Sequence, residues 1–152
     1  MEMEELKFTI ARHYIVELAM KLIGTPYVWG GSTPFGFDCS GFVIWILQVF
    51  GILGSSDWTA AQLAKMFERT DNPLPGDLVF YGKEKINHVG IYIGELNKVP
   101  MMVSAAGGDS TTTSIERARI RNAKVKMKPV KYRNDFQYFV SIERKVNGNS
   151  II

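Results

Sequence analysis

The chain has 152 residues, 46% of them hydrophobic and 22% charged, with a formal charge of +3 and a sequence pI near 9.0. That length fits one domain with a sizeable core, expected over 1–152 with its packed part at about 7–144, and the modest basic excess favours an anionic partner without naming one. Its single cysteine, Cys39, excludes an intramolecular disulfide and a multi-cysteine zinc site, so no metal is expected. The acidic start, Met1 to Glu5, lacks the basic and apolar regions of a secretory signal. The longest apolar stretch, Phe42 to Leu53, is too short to span a bilayer.

Phe8, Ala11, Ile15, Leu18, Ala19 and Leu22 recur at helical spacing, and Gly24 with Pro26 ends that pattern. Gly24 to Gly36 is rich in Gly, Pro, Ser and Thr, interleaved with Tyr27, Trp29 and Phe35, which predicts an ordered aromatic loop. A second helix begins at about Cys39, with Asp38 or Ser40 as its cap and Gly51 beyond its end. Thr59 through Phe67 reads as a short third helix. After Pro73, Pro75 and Gly76 the character becomes β, with strands at Leu78–Tyr81, His88–Gly94, Val99–Ala105, Lys124–Met127 and Phe136–Ile142. The turn at Glu95–Lys98 folds Ser104 back toward His88, unless a one-residue slip moves it to the other face. Helices first and an antiparallel sheet afterwards make an α+β domain.

Cys39 at a helix N-terminus is either a reactive thiol or a buried small hydrophobe. A helix N-terminus favours thiolate, so a lowered thiol pKa is expected there, and a neighbouring imidazole would complete activation. Of the two histidines, His13 lies inside the first helix and reads as a packing or surface residue. His88 opens a strand on its less aliphatic face, where a hydrogen-bonded structural histidine is the default.

Two longer patterns shift that balance. Gly24-Thr-Pro-Tyr27-Val-Trp29-Gly30-Gly31 followed by Phe37-Asp38-Cys39-Ser40-Gly41-Phe42 resembles the nucleophile region of the NlpC/P60 family of cell-wall cysteine peptidases. Pro75-Gly76-Asp77-Leu78-Val79-Phe80 and His88-Val89-Gly90-Ile91-Tyr92-Ile93-Gly94 resemble that family's next two blocks, in the same order. The resemblance implies a papain-like fold with N-terminal helices packed on a C-terminal antiparallel sheet. It also implies hydrolysis of the D-γ-glutamyl to diamino acid bond in the stem peptides of bacterial peptidoglycan. Residue by residue, it makes Cys39 the nucleophile and His88 the base, with Tyr27, Asp38 and Ser40 lining the substrate pocket. Ser104 stands where relatives commonly carry a second histidine to orient the base. Its hydroxyl is a weaker acceptor than a carboxylate, which points to a slower enzyme.

Asp77 reads as a turn former. Of Trp29, Trp45 and Trp58, only Trp29 lies near the expected site, where it would contact substrate. Arg117, Arg119 and Arg121 with Lys124, Lys126 and Lys128 alternate, so an extended segment would show one cationic face: a solvated strand edge first, an attraction for an anionic wall polymer second. Without a recognised binding motif, nucleic acid is not expected as a partner. Cysteine and histidine chemistry needs no organic cofactor. An amidase or acyltransferase using the same pair, and a wall-binding module with weakened chemistry, are the competing readings. Without a leader, delivery to the wall would come from phage lysis, as with an endolysin, from a virion or from specialised export. The sequence is silent on oligomeric state.

Overall fold

The computed structural model describes residues 2–146. Helix α1 (Met3–Lys21) carries Glu4 and Glu5 in its first turn and Lys21 in its last, each sign matched to its end of the helix dipole. It buries Arg12, Ile15 and Ala19, while Phe8, Ala11, Leu18 and Leu22 pack partly beside them. The Gly-rich segment that follows is ordered as expected, and it contains a two-stranded ribbon, β1 (Ser32–Thr33) with β2 (Gly36–Phe37). Two-residue strands carry too little alternation for sequence to reveal.

Helix α2 (Cys39–Val49) is capped by Asp38, whose carboxylate accepts the Gly41 N–H at 2.7 Å. Its residues Phe42, Ile46 and Leu47 are fully buried, each contributing about 1.5–3 kcal/mol of apolar burial. Helix α3 (Ala60–Met66) starts from a capping box in which Thr59 and Gln62 satisfy each other's backbone N–H groups. Phe67 already begins β3 (Phe67–Thr70), one residue inside the expected helix.

The remaining elements are β4 (Leu78–Tyr81), β5 (His88–Leu96), β6 (Val99–Ala106), α4 (Ile115–Arg121), β7 (Lys124–Pro129) and β8 (Phe136–Lys145). Six strands form one antiparallel sheet in the order β3-β8-β4-β5-β6-β7. All four residues of β4 are buried, because the sheet is covered on both faces. Leu78 and Phe80 join the core under the helices, while Val79 and Tyr81 meet Tyr92, Met102 and Val130 in a second cluster on the other face. The face that His88 occupies is therefore aromatic and packed. The architecture is α+β and papain-like, helices on an antiparallel sheet.

The basic stretch differs from expectation. Arg117, Arg119 and Arg121 are helical, because Ser114 caps α4 at the Arg117 N–H and Asn122 closes it in the left-handed region at φ 55°. They share no face with Lys124, Lys126 and Lys128, which alone alternate along the edge strand β7. Among the described residues, no helix is long and apolar enough to cross a membrane.

Candidate active site

Cys39 is the first residue of α2 and lies against the start of β5. Its thiol donates to the carbonyl of Asn87 at 3.9 Å, and the N–H of Val89 faces the sulfur, so the thiol meets the backbone on both sides of His88. No hydrogen bond joins the thiol to the imidazole directly. Such contacts lengthen in unliganded sites and tighten around substrate.

The His88 ring is buried, and its Nε2 lies 3.1 Å from the Ser104 Oγ. Pairing of Ile91 with Val103 sets this register, since it puts Gly90 opposite Ser104 and both on the His88 face. A Cβ at Gly90 would come within 2.9 Å of the Met102 sulfur and 3.2 Å of the Ser104 Cβ. Glycine at that position therefore lets the two strands' side chains close around the ring. In the tautomer that donates its Nε2 proton to Ser104, Nδ1 keeps the lone pair a base needs. Tyr81 packs on the other side of the ring, centroids 5.5 Å apart, and holds its own hydroxyl on the Val130 carbonyl at 2.8 Å.

Burial pushes the Cys39 thiol up to about 11, and the neighbouring Asp38 carboxylate adds to the shift. The N–H groups of Val89, Ser40 and Cys39 oppose it without prevailing. The lowered pKa expected from the helix N-terminus is thus reversed, because desolvation of a thiolate outweighs the dipole. Burial likewise drives His88 down to about 3, helped by the Arg133 cation and resisted by Asp135. Thiol and imidazole are therefore both neutral at neutral pH.

Asp38 is occupied structurally: besides Gly41, it accepts the Ser40 hydroxyl at 3.2 Å and the Gly30 N–H at 3.1 Å, tying the Gly-rich segment to the helix start. Burial raises its pKa against those donors. Tyr27 is buried, with its backbone paired to Ala123 and Phe37. Its pKa is raised by burial, then by charge at Cys39, so its phenol stays protonated beside the thiol. Its ring lies on Gly108, where a Cβ would intrude to 2.1 Å. Trp29 is 53% exposed, and its backbone N–H donates to the Thr112 carbonyl at 2.7 Å. His13 is exposed on α1 and pairs with Glu17 at 3.6 Å.

Sequence reasoning missed the wall on the imidazole side. Arg133 holds Asp135 through two contacts, 2.8 and 2.6 Å, and reaches the Asn87 side chain at 3.3 Å. Tyr132 stacks edge-on against Tyr81 at 5.9 Å and has a pKa raised chiefly by burial. Arg133 and Asp135 at i and i+2 carry no signal that would link them to a histidine 45 residues earlier. Among the described residues, no cluster of three or more His, Cys, Asp or Glu side chains could hold a metal ion.

A profile of the NlpC/P60 family matches residues 24–131. The chain is 43% identical over 82 residues to the probable peptidoglycan endopeptidase LytE of Bacillus subtilis strain 168, covering 53% of this chain and 24% of that protein. It is 38% identical over 84 residues to the gamma-D-glutamyl-L-lysine dipeptidyl-peptidase of the same strain, covering 53% and 28%. The chain thus spans about a quarter of the length of these curated relatives. Among solved structures, the NlpC/p60 domain of the peptidoglycan hydrolase SagA superposes with a TM-score of 0.62 at 30% identity, over 86% of this chain and 97% of that one. The peptidoglycan hydrolase RipB of Mycobacterium tuberculosis gives 0.65 at 25% identity, over 88% and 65%.

Proposed function

The chain belongs to the NlpC/P60 family, and on that premise we propose that it is a peptidoglycan endopeptidase cutting stem peptides after D-γ-glutamate, with its catalytic domain at about 7–144. The observation that carries the reading is the seating of the chain's one cysteine at the N-terminus of α2, against the backbone flanking a buried histidine whose Nε2 contacts the Ser104 hydroxyl. Names of relatives add the wall peptide as substrate: LytE as a probable peptidoglycan endopeptidase, and the dipeptidyl-peptidase by its gamma-D-glutamyl-L-lysine bond.

In this reading the resting pair is neutral. As the Cys39 sulfur bonds to the γ-glutamyl carbonyl carbon, its proton passes to Nδ1 of His88, and the imidazolium returns it to the departing amine as the C–N bond breaks. Water, deprotonated by His88, then releases the thioester and restores the thiol. In this reading the N–H groups of Cys39 and Ser40, which already favour charge on the sulfur, also donate to the oxyanion. Protonated Tyr27 is a third donor to it. Asp38 and Ser40 shape the acyl side, and Trp29 offers an exposed ring to substrate.

The elevated Cys39 pKa favours one alternative, a wall-binding module whose thiol is inert. Digestion of purified peptidoglycan followed by muropeptide mass spectrometry separates them. Fragments ending in γ-D-glutamate, formed by the wild type and absent with Cys39→Ala, are expected for the enzyme. Pull-down on peptidoglycan without any Cys39-dependent fragment would leave the module.

A further inference from the structure

We propose that Lys124, Lys126 and Lys128 of β7, continued by Arg119 of α4, form a docking strip for a phosphodiester polymer of the bacterial wall, of the poly(glycerol phosphate) kind. The choice of a wall polymer rests on the endopeptidase reading; the strip itself lies outside the catalytic pair.

The register aligns the lysines. Lys124 pairs with Ala106, Lys126 with Ser104 and Lys128 with Met102, so all three stand on the sheet face that carries His88. Alternate residues of a strand are about 6.6 Å apart, a length that one extended glycerol phosphate unit also spans. At the head of the row, Arg119 and Lys124 share the walls of a groove of about 250 Å³ with Gly24 and Pro26. Among the described residues no carboxylate lines that groove, and none of the four cations forms an ion pair. The acid of the adjoining loop, Asp109, is engaged by Arg121 at 2.9 Å.

The row carries unrelieved repulsion. Burial, then Lys128 and Lys124, hold the Lys126 ammonium below the usual lysine range. A bound polyanion reverses the sign of that interaction.

Guarding a sheet edge against pairing is the ordinary use of such lysines. The first half of β7 has no open edge to guard. Val125 donates to the Thr25 carbonyl at 2.8 Å and accepts the Gly24 N–H at 2.9 Å, and Pro26 bridges to Lys124. Between the lysines the strand offers no aromatic ring: Val125 is buried, and Val125 and Met127 turn to the opposite face. A charged backbone without bases fits this row better than a single-stranded nucleic acid, whose bases stack on aromatic rings.

The test is fluorescence polarisation of labelled poly(glycerol phosphate), which contains no peptide bond and is not cleaved. Wild type is compared with Arg119→Gln/Lys124→Gln/Lys128→Gln, which keeps Lys126 beside Ser104, and with Lys7→Gln/Lys21→Gln/Lys65→Gln, exposed lysines of the helical layer. Each triple variant lowers the formal charge from +3 to 0, and each is used with circular dichroism and thermal midpoint matching wild type. The strip variant is expected to bind about a hundredfold more weakly, about fivefold per cation, while the helical-layer variant keeps most of the wild-type affinity. Wild-type binding is expected to weaken as salt rises. Arg119→Gln alone, outside the sheet, is expected to weaken binding about fivefold and serves where the triple variant does not match wild type; unchanged affinity there would overturn the strip. Absence of wild-type binding, equal losses in the two triple variants, or tighter binding of a single-stranded oligonucleotide of equal phosphate count would overturn it as well. None of these outcomes involves cleavage, so muropeptide digestion decides the endopeptidase reading separately.

Discussion

At the scale of single residues, the neutrality of the proposed pair has measurable consequences. Alkylation of Cys39 by iodoacetamide is expected to be slow between pH 6 and 8 and to climb toward pH 11, following the raised thiol pKa; a fast reaction already saturated near neutral pH would show a pre-formed thiolate. His88 gives the second consequence. Its folded-state pKa, about 3, lies below the ordinary 6.5, so on acidification the unfolded chain takes a proton that the folded one refuses. Stability is therefore constant above pH 6.5 as far as this group is concerned and falls below it, by about 1.4 kcal/mol per pH unit. Urea unfolding at pH 7 and pH 5 is expected to show that loss in wild type and a smaller one in His88→Gln. The presence of Cys39 and His88 was legible from their motifs, but the sign of the Cys39 shift was not. A helix N-terminus is visible in sequence, whereas the depth of burial that overrides it depends on what the sheet brings alongside.

At the scale of elements, the site depends on the β5–β6 register and on the start of α2. Ser104→Ala removes one neutral hydrogen bond from the imidazole, and kcat is expected to fall about tenfold with KM little changed; an unchanged kcat would show that Tyr81 packing alone holds the ring. Gly90→Ala forces a methyl between Met102 and Ser104, with a stability loss of about 1–3 kcal/mol by thermal denaturation. The alternation along His88–Gly94 was enough to place His88 on one face, but the turn at Asn97 and Lys98, both at positive φ, would by itself set Ser104 opposite Ile91; a one-residue register shift between Tyr92 and Gly94 moves it opposite Gly90, onto the His88 face. The Arg117–Arg121 segment misleads by its alternation, because charges every second residue suit a strand while Ser114 and Asn122 encode the helix. The Arg133–Asp135 wall beside His88 was illegible for another reason: Arg133 meets the Asn87 side chain only after β8 pairs with β4.

At the scale of the whole molecule, one ionic network binds the helical layer to the sheet. Arg12 of α1 contacts Asp77 at 2.9 Å and Glu143 of β8 at 2.7 Å, and also donates to the Leu74 and Pro75 carbonyls. Asp77 in turn accepts the Leu74 and Ile142 N–H groups, so the turn-forming role expected for it extends to joining three segments. Arg12→Ala leaves the buried Asp77 carboxylate without its cation, and a loss of about 3–5 kcal/mol in denaturant unfolding is expected. Arg12 went unnoticed in the sequence because a single arginine in an amphipathic helix reads as solvated. The central claim, that Cys39 carries the acyl group, is tested most directly by acid-quenching the enzyme during turnover of L-Ala-γ-D-Glu-diaminopimelate peptide and weighing the intact protein. An added L-Ala-γ-D-Glu acyl mass is expected, mapping to the peptide containing Cys39 and absent in Cys39→Ala. Cleavage that proceeds in Cys39→Ala at the wild-type rate would contradict it.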